Sequence, residues 1–237
     1  MKETIKRPAT VSEYSTLALS LPALSLAEQH QVMRELCLRD LYWLLRYGMS
    51  RTDAGHAWIL ARCREVEAAP DEHIDLWSRE HYKSTIITYA LTIQNILRNP
   101  EITIGIFSHT RPIAKGFLRQ IKREFETNKC LQALFVDVLW TEPARDAPKW
   151  SEDDGLIVRR LSNPKEATLE AHGLVDGQPT GKHYQVMVYD DVVTQASVTS
   201  PEMMAKTIEA LELSYNLGAE GGTRRFIGTR YHANDAY

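Results

Sequence analysis

The sequence is poor in cysteine and has no long apolar run. Its three cysteines, Cys37, Cys63 and Cys130, are widely spaced and form no CxxC pair. An odd number at such spacing argues against a disulfide framework and a cysteine zinc site, and fits a reducing compartment. No stretch reaches the roughly 18 apolar residues of a membrane-spanning helix. Polar residues and proline dilute the mildly apolar stretch 17–27, which argues against a secretion signal.

The chain also lacks an excess of charge of either sign. Lys and Arg number 28 against 31 Asp and Glu, which gives a formal net charge of −3. A near-neutral protein does not coat nucleic acid by bulk electrostatics, so any such contact must be local. With 237 residues, 43% hydrophobic and 25% charged, the composition is ordinary for a globular protein and suffices for a sizeable core.

Hydrophobic periodicity divides the chain into a helical N-terminal segment and an α/β core. Residues 1–24 are predicted to form an irregular arm. A capping box opens one helix over 25–47, and a second helix is predicted over 54–68. We place the boundary after residue 70, so that 1–70 form an arm and helical lid and 71–237 form the core.

Beyond residue 70, strand-like segments alternate with helical patterns. The predicted strands are 73–77, 102–107, 156–160, 167–171, 185–189 and 225–228. The predicted helices are 85–97, 112–127 and a segment from Ser200 toward Gly218. This alternation predicts an α/β fold with a mainly parallel central sheet flanked by helices.

The first chemical motif lies between a predicted strand and a predicted buried helix. Lys83 and Ser84 stand where a phosphate loop places the Lys that reaches the β- and γ-phosphates and the hydroxyl that holds Mg²⁺. The glycines of the Walker A pattern G-x-x-x-x-G-K-[ST] are absent, since Trp77 and Tyr82 occupy their positions. Taken alone, the pair is more simply explained as an ordinary helix start.

The second motif is a pair of carboxylates, Asp190 and Asp191, after the apolar strand 185–189. This matches the Walker B arrangement, in which the first acid holds the magnesium shell and the second positions and deprotonates the attacking water. A strand that leaves the core through a solvated turn explains the pair equally well.

The third motif, Gly228-Thr229-Arg230, ends the last predicted strand. It places a hydroxyl and a guanidinium at the carboxyl edge of the sheet, where doubly wound folds bind ligands. A plain strand-to-loop turn is the alternative. The order of the three motifs is the one that an additional-strand P-loop ATPase needs, which favours a shared site.

The three motifs and the residues between them resemble the ATPase domain of the large terminase subunit, the DNA-packaging motor of tailed bacteriophages. The resemblance covers about 50–237 and is strongest in the coupling motif from Gly228 to His232, with Asp235 following. Terminases commonly carry a deviant Walker A with Arg four residues before the Lys, and Arg79 and Lys83 keep that spacing.

The resemblance implies a P-loop NTPase of the additional-strand type that hydrolyses ATP with Mg²⁺. The residues it implies for nucleotide binding are Arg79, Glu80, His81, Tyr82, Lys83, Ser84, Thr85, Thr229 and Arg230. The catalytic residues it implies are Asp191, Arg79, Lys182 and Thr229. Ser84 and Asp190 would hold the magnesium. Arg79 would contact the γ-phosphate or reset the loop, and Thr229 would pass hydrolysis to the DNA grip.

Two positions depart from the family pattern. Tyr82 replaces the usual glycine, so a positive φ is costly there, and turnover is expected to be slow or to need neighbouring subunits. The family's trans-acting Arg is replaced by Lys182, which lacks the planar fork of a guanidinium. Either Lys182 acts as a point charge, or Arg224 or Arg225 takes the role.

The implied partners follow from the same resemblance. They are double-stranded DNA, the portal protein, the small terminase subunit and further copies of the chain in a ring, expected to be pentameric. No membrane partner is expected, and a virus-encoded, non-secreted protein would act in the host cytoplasm. The family's RNase H-like nuclease domain is not present before Tyr237, so a longer natural subunit is expected.

The helix predicted over 112–127 has two stripes. The predicted core stripe is Ile113, Phe117, Ile121 and Phe125. The basic stripe is Arg111, Lys115, Arg119, Lys122 and Arg123. A solvated amphipathic face is the simpler interpretation. If the stripe instead lines a DNA channel or a neighbouring subunit, charge reversal at Arg119 and Arg123 weakens DNA-stimulated hydrolysis.

Several aromatic residues near the first motif are candidates for the base side of a nucleotide. Trp77, His81 and Tyr82 could flank it, and the segment 54–60, with His56 and Trp58, could form the adenine side. Packing roles are the simpler interpretation for all of these.

Two other functions remain open at this point. A metal nuclease could use Asp190, Asp191, His232 and Asp235 around Mg²⁺ or Mn²⁺. A docking or ring module could keep the fold and have lost turnover, which Tyr82 in the loop would suit.

Overall fold

One sheet of seven strands organises the molecule, for which a computed structural model describes residues 6–237. The strands are β1 His73–Leu76, β2 Ile104–Ser108, β3 Trp150–Ser151, β4 Gly155–Leu156, β5 Leu169–Gly173, β6 Tyr184–Asp190 and β7 Gly218–Gly228. Their order is β1-β7-β6-β2-β5-β4-β3. The first five strands in this order are parallel, and β3 and β4 form an antiparallel edge. The predicted α/β class with a mainly parallel sheet is confirmed.

Helices flank this sheet. They are α1 Val11–Ser20, α2 Leu26–Arg39, α3 Leu41–Trp43, α4 Ala57–Ala68, α5 Thr92–Arg98, α6 Arg111–Thr127, α7 Lys129–Leu134, α8 Pro143–Asp146 and α9 Pro201–Ser214. Two further segments are π-helical, Leu44–Gly48 and Thr85–Leu91. Within residues 6–237 no helix combines the length and the apolar character that crossing a bilayer would need.

The N-terminal segment is more helical than its sequence predicts. The irregular arm predicted over 1–24 is wrong for residues 11–20, which form α1, while residues 1–5 lie outside the described part of the chain. The Thr10 hydroxyl accepts a hydrogen bond from the Glu13 amide at 3.2 Å and caps the helix. Tyr14 is fully buried and anchors it.

A buried carboxylate divides the helix predicted over 25–47. The predicted capping box is confirmed at the start of α2, but α2 ends at Arg39 because Asp40 is extended, with φ −138°. The Asp40 side chain accepts a hydrogen bond from the Trp43 amide at 3.0 Å and starts α3. It also pairs with Arg7 at 2.9 Å, 33 residues away. A partner so distant in sequence leaves no trace in the local pattern.

The buried helix predicted over 85–97 is confirmed, and its first part is wider than an α-helix. Thr85–Leu91 is π-helical and continues directly into α5. Ile86 and Ala90 are fully buried in the main core. Since the segment begins directly after Ser84, its N-terminal end adjoins the loop that follows β1.

The central strands separate two apolar clusters. On one face Ile106, Val188 and Ile227 belong to the main core, which also takes in the N-terminal helices. On the other face Tyr189 of β6 stacks between two neighbours, with ring centroids 5.2 Å from Phe107 and 4.9 Å from Phe226. Because both faces are covered, β2 and β6 are almost wholly apolar, as expected of buried parallel strands.

Two strand predictions need correction. The strand predicted over 156–160 is only a hairpin of β3 and β4, two residues in each strand, whose turn residues obscure the short apolar pattern. β7 begins at Gly218 rather than at residue 225. Its first half is rich in glycine, which lowers strand propensity. Gly222 is required there, since a Cβ would lie 3.0 Å from the Gln185 carbonyl oxygen.

Candidate functional site

The three predicted motifs meet at the carboxyl edge of the sheet. Parallel β1, β6 and β7 end at the same edge, so the residues that follow them are neighbours. The Lys83 ammonium donates to Thr229 Oγ1 at 2.6 Å and lies 3.7 Å from Asp191 Oδ1. Lys83 is only 7% exposed. The first and third motifs, 146 residues apart, are therefore in direct contact.

Asp190 is the most buried charged group of this edge, with no exposed surface. Ser84 donates to its Oδ1 at 3.1 Å, and Thr88 donates to its Oδ2. Burial raises the pKa of Asp190 to about 7, with a further contribution from the charge of Asp191. Among the described residues Asp190 has two hydroxyl donors and no cationic partner.

Asp191 ends β6 in a strained conformation. Its φ is 48°, in the left-handed region that non-glycine residues seldom adopt, and its amide donates to the Ile227 carbonyl at 2.9 Å. This turn aims the carboxylate at the loop after β1. Its Oδ1 is buried and accepts no hydrogen bond from residues 6–237, although the Lys83 ammonium is near.

The loop after β1 contains two further residues with positive φ. Glu80 has φ 63° and Tyr82 has φ 59°. Such conformations cost roughly 1–3 kcal/mol each and persist only where the surroundings hold them. Tyr82, which stands where the Walker A pattern has glycine, thus has a left-handed φ that glycine would adopt at little cost, and its carbonyl accepts the Ile86 amide at 2.8 Å to start the helix.

A cleft of about 350 Å³ opens over this loop. Its lining residues are Arg79, Glu80, His81, Tyr82, Lys83, Ser84, Thr85 and Asp191. Seven of the residues predicted to bind a nucleotide therefore share one cleft, and Thr229 reaches it through Lys83.

The two predicted arginines have other partners. The Arg79 guanidinium lies over the Tyr231 ring, 5.5 Å from its centroid, and donates to the Tyr231 hydroxyl. Arg230 is exposed and donates to the carbonyls of Ala233 and Tyr237, at 3.2 and 3.1 Å. Arg79 therefore connects the loop after β1 to Tyr231 of the coupling motif. Arg230 instead stabilises the segment 233–237 that follows the motif.

A second, larger cleft of about 660 Å³ adjoins the first and shares Glu80 and His81 with it. Its other lining residues are Trp58, Arg62, Leu76, Trp77 and Ser78. The Trp58 ring lies 5.9 Å from His81 and 5.8 Å from Tyr82. Trp58, Trp77 and His81, three of the candidates for the base side of a nucleotide, thus line one cleft, whereas His56 lies at the N-cap of α4 and outside the lining.

Lys182 lies at the opposite edge of the sheet, before β6. Its ammonium donates to Glu170 Oε1 at 2.9 Å and does not reach the site of its own chain. Arg225 also lies away from the carboxyl edge, where it donates to the carbonyls of Ala69 and Pro70. Arg224 pairs with Glu72.

A buried polar cluster around Glu170 on β5 was not predicted from the sequence. Tyr184 donates to Glu170 Oε2 at 2.8 Å, and the Ala167 amide donates to Oε1 at 2.6 Å. Burial acts to raise the pKa of Glu170, but hydrogen bonds from His172, Ala167, Lys182 and Tyr184 lower it to about 2. Glu170 and His172, the two polar residues within the buried strand Leu169–Gly173, are the sequence feature that could have indicated this cluster.

The basic stripe of α6 is neutralised by acids. Arg119 forms a fork with Glu152, at 2.7 and 2.6 Å, and Lys115 pairs with Asp153. The core stripe also differs from the prediction. Ile113 is 42% exposed, and the buried positions are Ala114, Leu118, Ile121 and Phe125. The acids come from the hairpin of β3 and β4, which the sequence reading did not place beside α6.

The four residues of the nuclease hypothesis do not form a cluster. Asp235 accepts the amides of Tyr231 and His232, at 2.9 and 3.0 Å, and so braces a turn. Within residues 6–237 no group of three or more His, Cys, Asp or Glu side chains could hold a metal ion. Asp190 and Asp191 remain a pair of adjacent acids at the carboxyl edge of the sheet.

Comparison with known proteins adds no further assignment. No model of a protein family matches the chain. A search of curated proteins gives no match either.

Proposed function

We propose that the chain is the ATP-hydrolysing motor domain of a viral terminase large subunit, which drives double-stranded DNA into a procapsid in the host cytoplasm. The observation that carries the proposal is the convergence at one sheet edge of Lys83, Ser84, Asp190, Asp191 and Thr229. Their proximity supports the proposed roles of a phosphate loop, an acid pair and a γ-phosphate sensor.

The strand order supports the additional-strand P-loop type. β7, which Thr229 follows directly, lies between the loop strand β1 and the acid strand β6. An extra strand between the two phosphate-binding elements leaves space for a polar residue facing the γ-phosphate. Lys83 donates to Thr229 from across that position.

The acid pair fits a magnesium ion. Asp190 is buried without a cationic partner among the described residues, and Ser84 donates to it, as expected of a hydroxyl that shares the ion. Asp191 Oδ1 is buried and accepts no hydrogen bond within the same part of the chain, with the Lys83 ammonium 3.7 Å away. Magnesium, when bound, supplies the positive charge that neutralises the phosphate oxygens.

In the proposed reaction each side chain has a separate task. Lys83 binds the β- and γ-phosphate oxygens and holds the γ-phosphate toward Thr229. Asp191 orients the attacking water and accepts its proton while the bond from the γ-phosphorus to the leaving oxygen breaks, which gives ADP and phosphate. Trp58, Trp77 and His81 hold the base in the larger cleft. A change in the conformation of the loop moves Arg79 and, through their contact, Tyr231.

ATP hydrolysis with and without double-stranded DNA tests the proposal. Lys83→Ala and Asp191→Ala should each lower hydrolysis by about 100-fold or more, because each removes a group that acts on the transferred phosphoryl group or on the water. Lys149→Ala, at an exposed lysine outside the cleft, is the matched control. Full activity in Asp191→Ala, or in Lys83→Ala, would refute the assignment.

The proposed ring gives Lys182 a role in trans. Its ammonium would leave Glu170 and act on the γ-phosphate held by a neighbouring copy, at the interface of an oligomer expected to be pentameric. Lys182→Ala and Lys83→Ala should each be inactive alone, and a mixture should recover hydrolysis, since mixed rings pair an intact loop with an intact Lys182. A mixture as inactive as its components would remove the trans role.

One observation favours a second candidate, a docking or ring module without turnover. Tyr82 places a side chain in the strained backbone position of the Walker A loop, at φ 59°. If the wild-type chain hydrolyses no ATP even with DNA, the portal protein and the small terminase subunit, this second function replaces the first.

A further inference from the structure

The strained loop residue Tyr82 is tied to the N-terminal segment through its own hydroxyl. The hydroxyl donates to Asp53 Oδ2 at 2.7 Å, 29 residues earlier in the sequence. The ring is half-buried, and the edge of Trp58 packs against it with ring planes 76° apart. The side chain is therefore held at both its ring and its hydroxyl.

The acceptor of this hydrogen bond is itself fixed. Arg51 grips Asp53 as a fork, with Nε at 2.9 Å and Nη2 at 2.6 Å. These bonds hold the pKa of Asp53 well below its usual range, so the acceptor stays charged. Asp53 lies in a short 3₁₀ turn, Thr52–Ala54, whose last residue is fully buried. The same Arg51 guanidinium lies over the Tyr82 ring, 5.9 Å from its centroid.

The position of Tyr82 in the chain gives this tether a consequence for the loop. Tyr82 directly precedes Lys83, and its carbonyl accepts the first hydrogen bond of the helix that carries Ser84. A tyrosine with positive φ returns to the ordinary region unless its surroundings prevent it. That return would rotate the peptide before Lys83 and swing the ammonium away from Thr229.

We propose that Tyr82 and Asp53 are positioning residues that hold the phosphate loop in its binding conformation before any nucleotide arrives. The segment over 51–54 thereby substitutes for the conformational freedom of the missing glycine. A loop held in its bound shape loses less freedom on binding, so the tether raises nucleotide affinity. This inference rests on the proposed function, since it concerns the same site.

The experiment compares nucleotide Kd, kcat and KM in wild type, Tyr82→Phe, Asp53→Ala and the double variant. Tyr82→Phe keeps the ring and removes only the hydroxyl. Each single variant should weaken the Kd for Mg-ADP by about tenfold, the scale of a hydrogen bond to a charged group. The double variant should be no weaker than the weaker single variant, because both changes remove one interaction. The effect should fall on Kd and KM more than on kcat.

Two further variants separate positioning from general stability. Tyr14→Phe also removes a tyrosine hydroxyl bonded to a carboxylate, that of Asp40, but in α1 of the N-terminal segment, and should leave Kd within about twofold. In a Tyr82→Gly background, where no side chain reaches Asp53, Asp53→Ala should have no further effect. Hydrogen exchange of the amides of 79–84 without nucleotide should become faster in Tyr82→Phe.

The outcomes distinguish this inference from the proposed function. If Lys83→Ala abolishes binding and Tyr82→Phe leaves both Kd and the loop exchange unchanged, the tether has no positioning role and the ATPase proposal stands. If Asp53→Ala weakens binding equally in the Tyr82→Gly background, Asp53 acts by another route and the inference fails. If the wild type binds no nucleotide and the loop exchange is the same in Tyr82→Phe, both fail.

Discussion

Two buried carboxylates of the same sheet show opposite behaviour. Glu170 on β5 is 6% exposed and receives hydrogen bonds from Lys182, Tyr184 and a backbone amide, which bring its pKa to about 2. Asp190 on β6 is fully buried and has two hydroxyl donors, and burial brings its pKa to about 7. Within residues 6–237 the first acid has a lysine at hydrogen-bonding distance, whereas the second has only hydroxyl donors and the more distant charge of Lys83.

Under the proposed function, the first acid is structural and the second is functional. A buried carboxylate paired with a cation of its own chain needs no ligand, and removing one partner of such a pair is destabilising. A buried carboxylate without a cation is costly until a cation arrives, which is typical of a site that binds one. The comparison can be tested because replacing each acid by its amide should change stability in opposite directions.

The largest expected effect is that of Asp190→Asn on hydrolysis. Activity should fall by about 100-fold or more, because the magnesium site loses its charge. Without Mg²⁺ at pH 8 the same variant should unfold several degrees higher than wild type, since each kcal/mol corresponds to about 2–4 °C in a chain of this size. ATPase assays and thermal unfolding measure the two effects. A lower melting temperature would show that the charge is already compensated.

The pH dependence of stability provides an independent check on Asp190. Its pKa in the folded state is about 7 against an ordinary value of 3.8, so between these pH values the folded state holds a proton that the unfolded state has lost. In the absence of Mg²⁺, stability should therefore fall as the pH rises from about 4 to 7. The Asp190→Asn variant should show a flatter profile over that range. Parallel profiles for the two proteins would contradict the raised pKa.

Glu170→Gln should act in the other direction. The hydrogen bonds from His172, Ala167 and Tyr184 to a buried charge are weakened and Lys182 loses its charged partner, so the free energy of unfolding should fall by about 2–3 kcal/mol, measured by urea denaturation at pH 7. Because the pKa of Glu170 is lowered from 4.5 to about 2, its contribution is present above pH 4.5 and is lost as the pH falls toward 2. A variant as stable as wild type at pH 7 would show that the cluster has no net effect.

A smaller effect is expected at Thr229, which lies at the carboxyl edge of the sheet and accepts a hydrogen bond from Lys83. Thr229→Val keeps the shape and removes the hydroxyl that accepts from Lys83 at 2.6 Å. We expect kcat to fall about tenfold while KM changes by less than about threefold, since the hydroxyl acts on the γ-phosphate rather than on overall binding. Thr229→Ser is the control and should retain activity. An effect on KM alone would place Thr229 in binding only.

The smallest effect is expected on the exposed face of α6, where Arg119 is already paired with Glu152 and Arg123 is exposed to solvent. Arg119→Glu combined with Arg123→Glu should shift the melting temperature by no more than about 2 °C, because exposed ion pairs contribute little. DNA-stimulated hydrolysis should stay within about twofold of wild type. A fall of about fivefold or more would show that DNA displaces Glu152 and Asp153 from this face.

The sequence predicted the carboxyl edge well for a topological reason. Residues that follow parallel strands must gather at one edge, so Lys83, Asp190 and Thr229 could be expected to meet from strand positions alone. The tether of Tyr82 could not be predicted, because Asp53 lies in a turn with no strand or helix register to place it. The low pKa of Glu170 could not be predicted for a similar reason, because the hydrogen-bond donors Ala167, Lys182 and Tyr184 lie outside β5.

The charge pattern along a single helix predicted the partners of its residues less well than the strand ends predicted the candidate site. The basic stripe of α6 is real as a pattern, but Glu152 and Asp153 neutralise it from a hairpin about 30 residues later in the chain. Asp40 gives the same lesson in the N-terminal segment, where a buried carboxylate ends a helix that its periodicity would continue. Local patterns predict elements, and long-range partners decide how those elements end and what charge they present.

The π-helical segment Thr85–Leu91 carries one consequence for how this site tolerates insertions and deletions. Ser84 and Thr88 both donate to Asp190 from the start of this wider turn. Because π-helical hydrogen bonds span one residue more than α-helical ones, removing one residue from this segment can close it to α-helical geometry and leave the residues on both sides in phase. A deletion in the α-helical continuation α5 has no such reserve and would rotate every residue on one side by about 100°. The segment should therefore tolerate the loss of one residue better than α5 does.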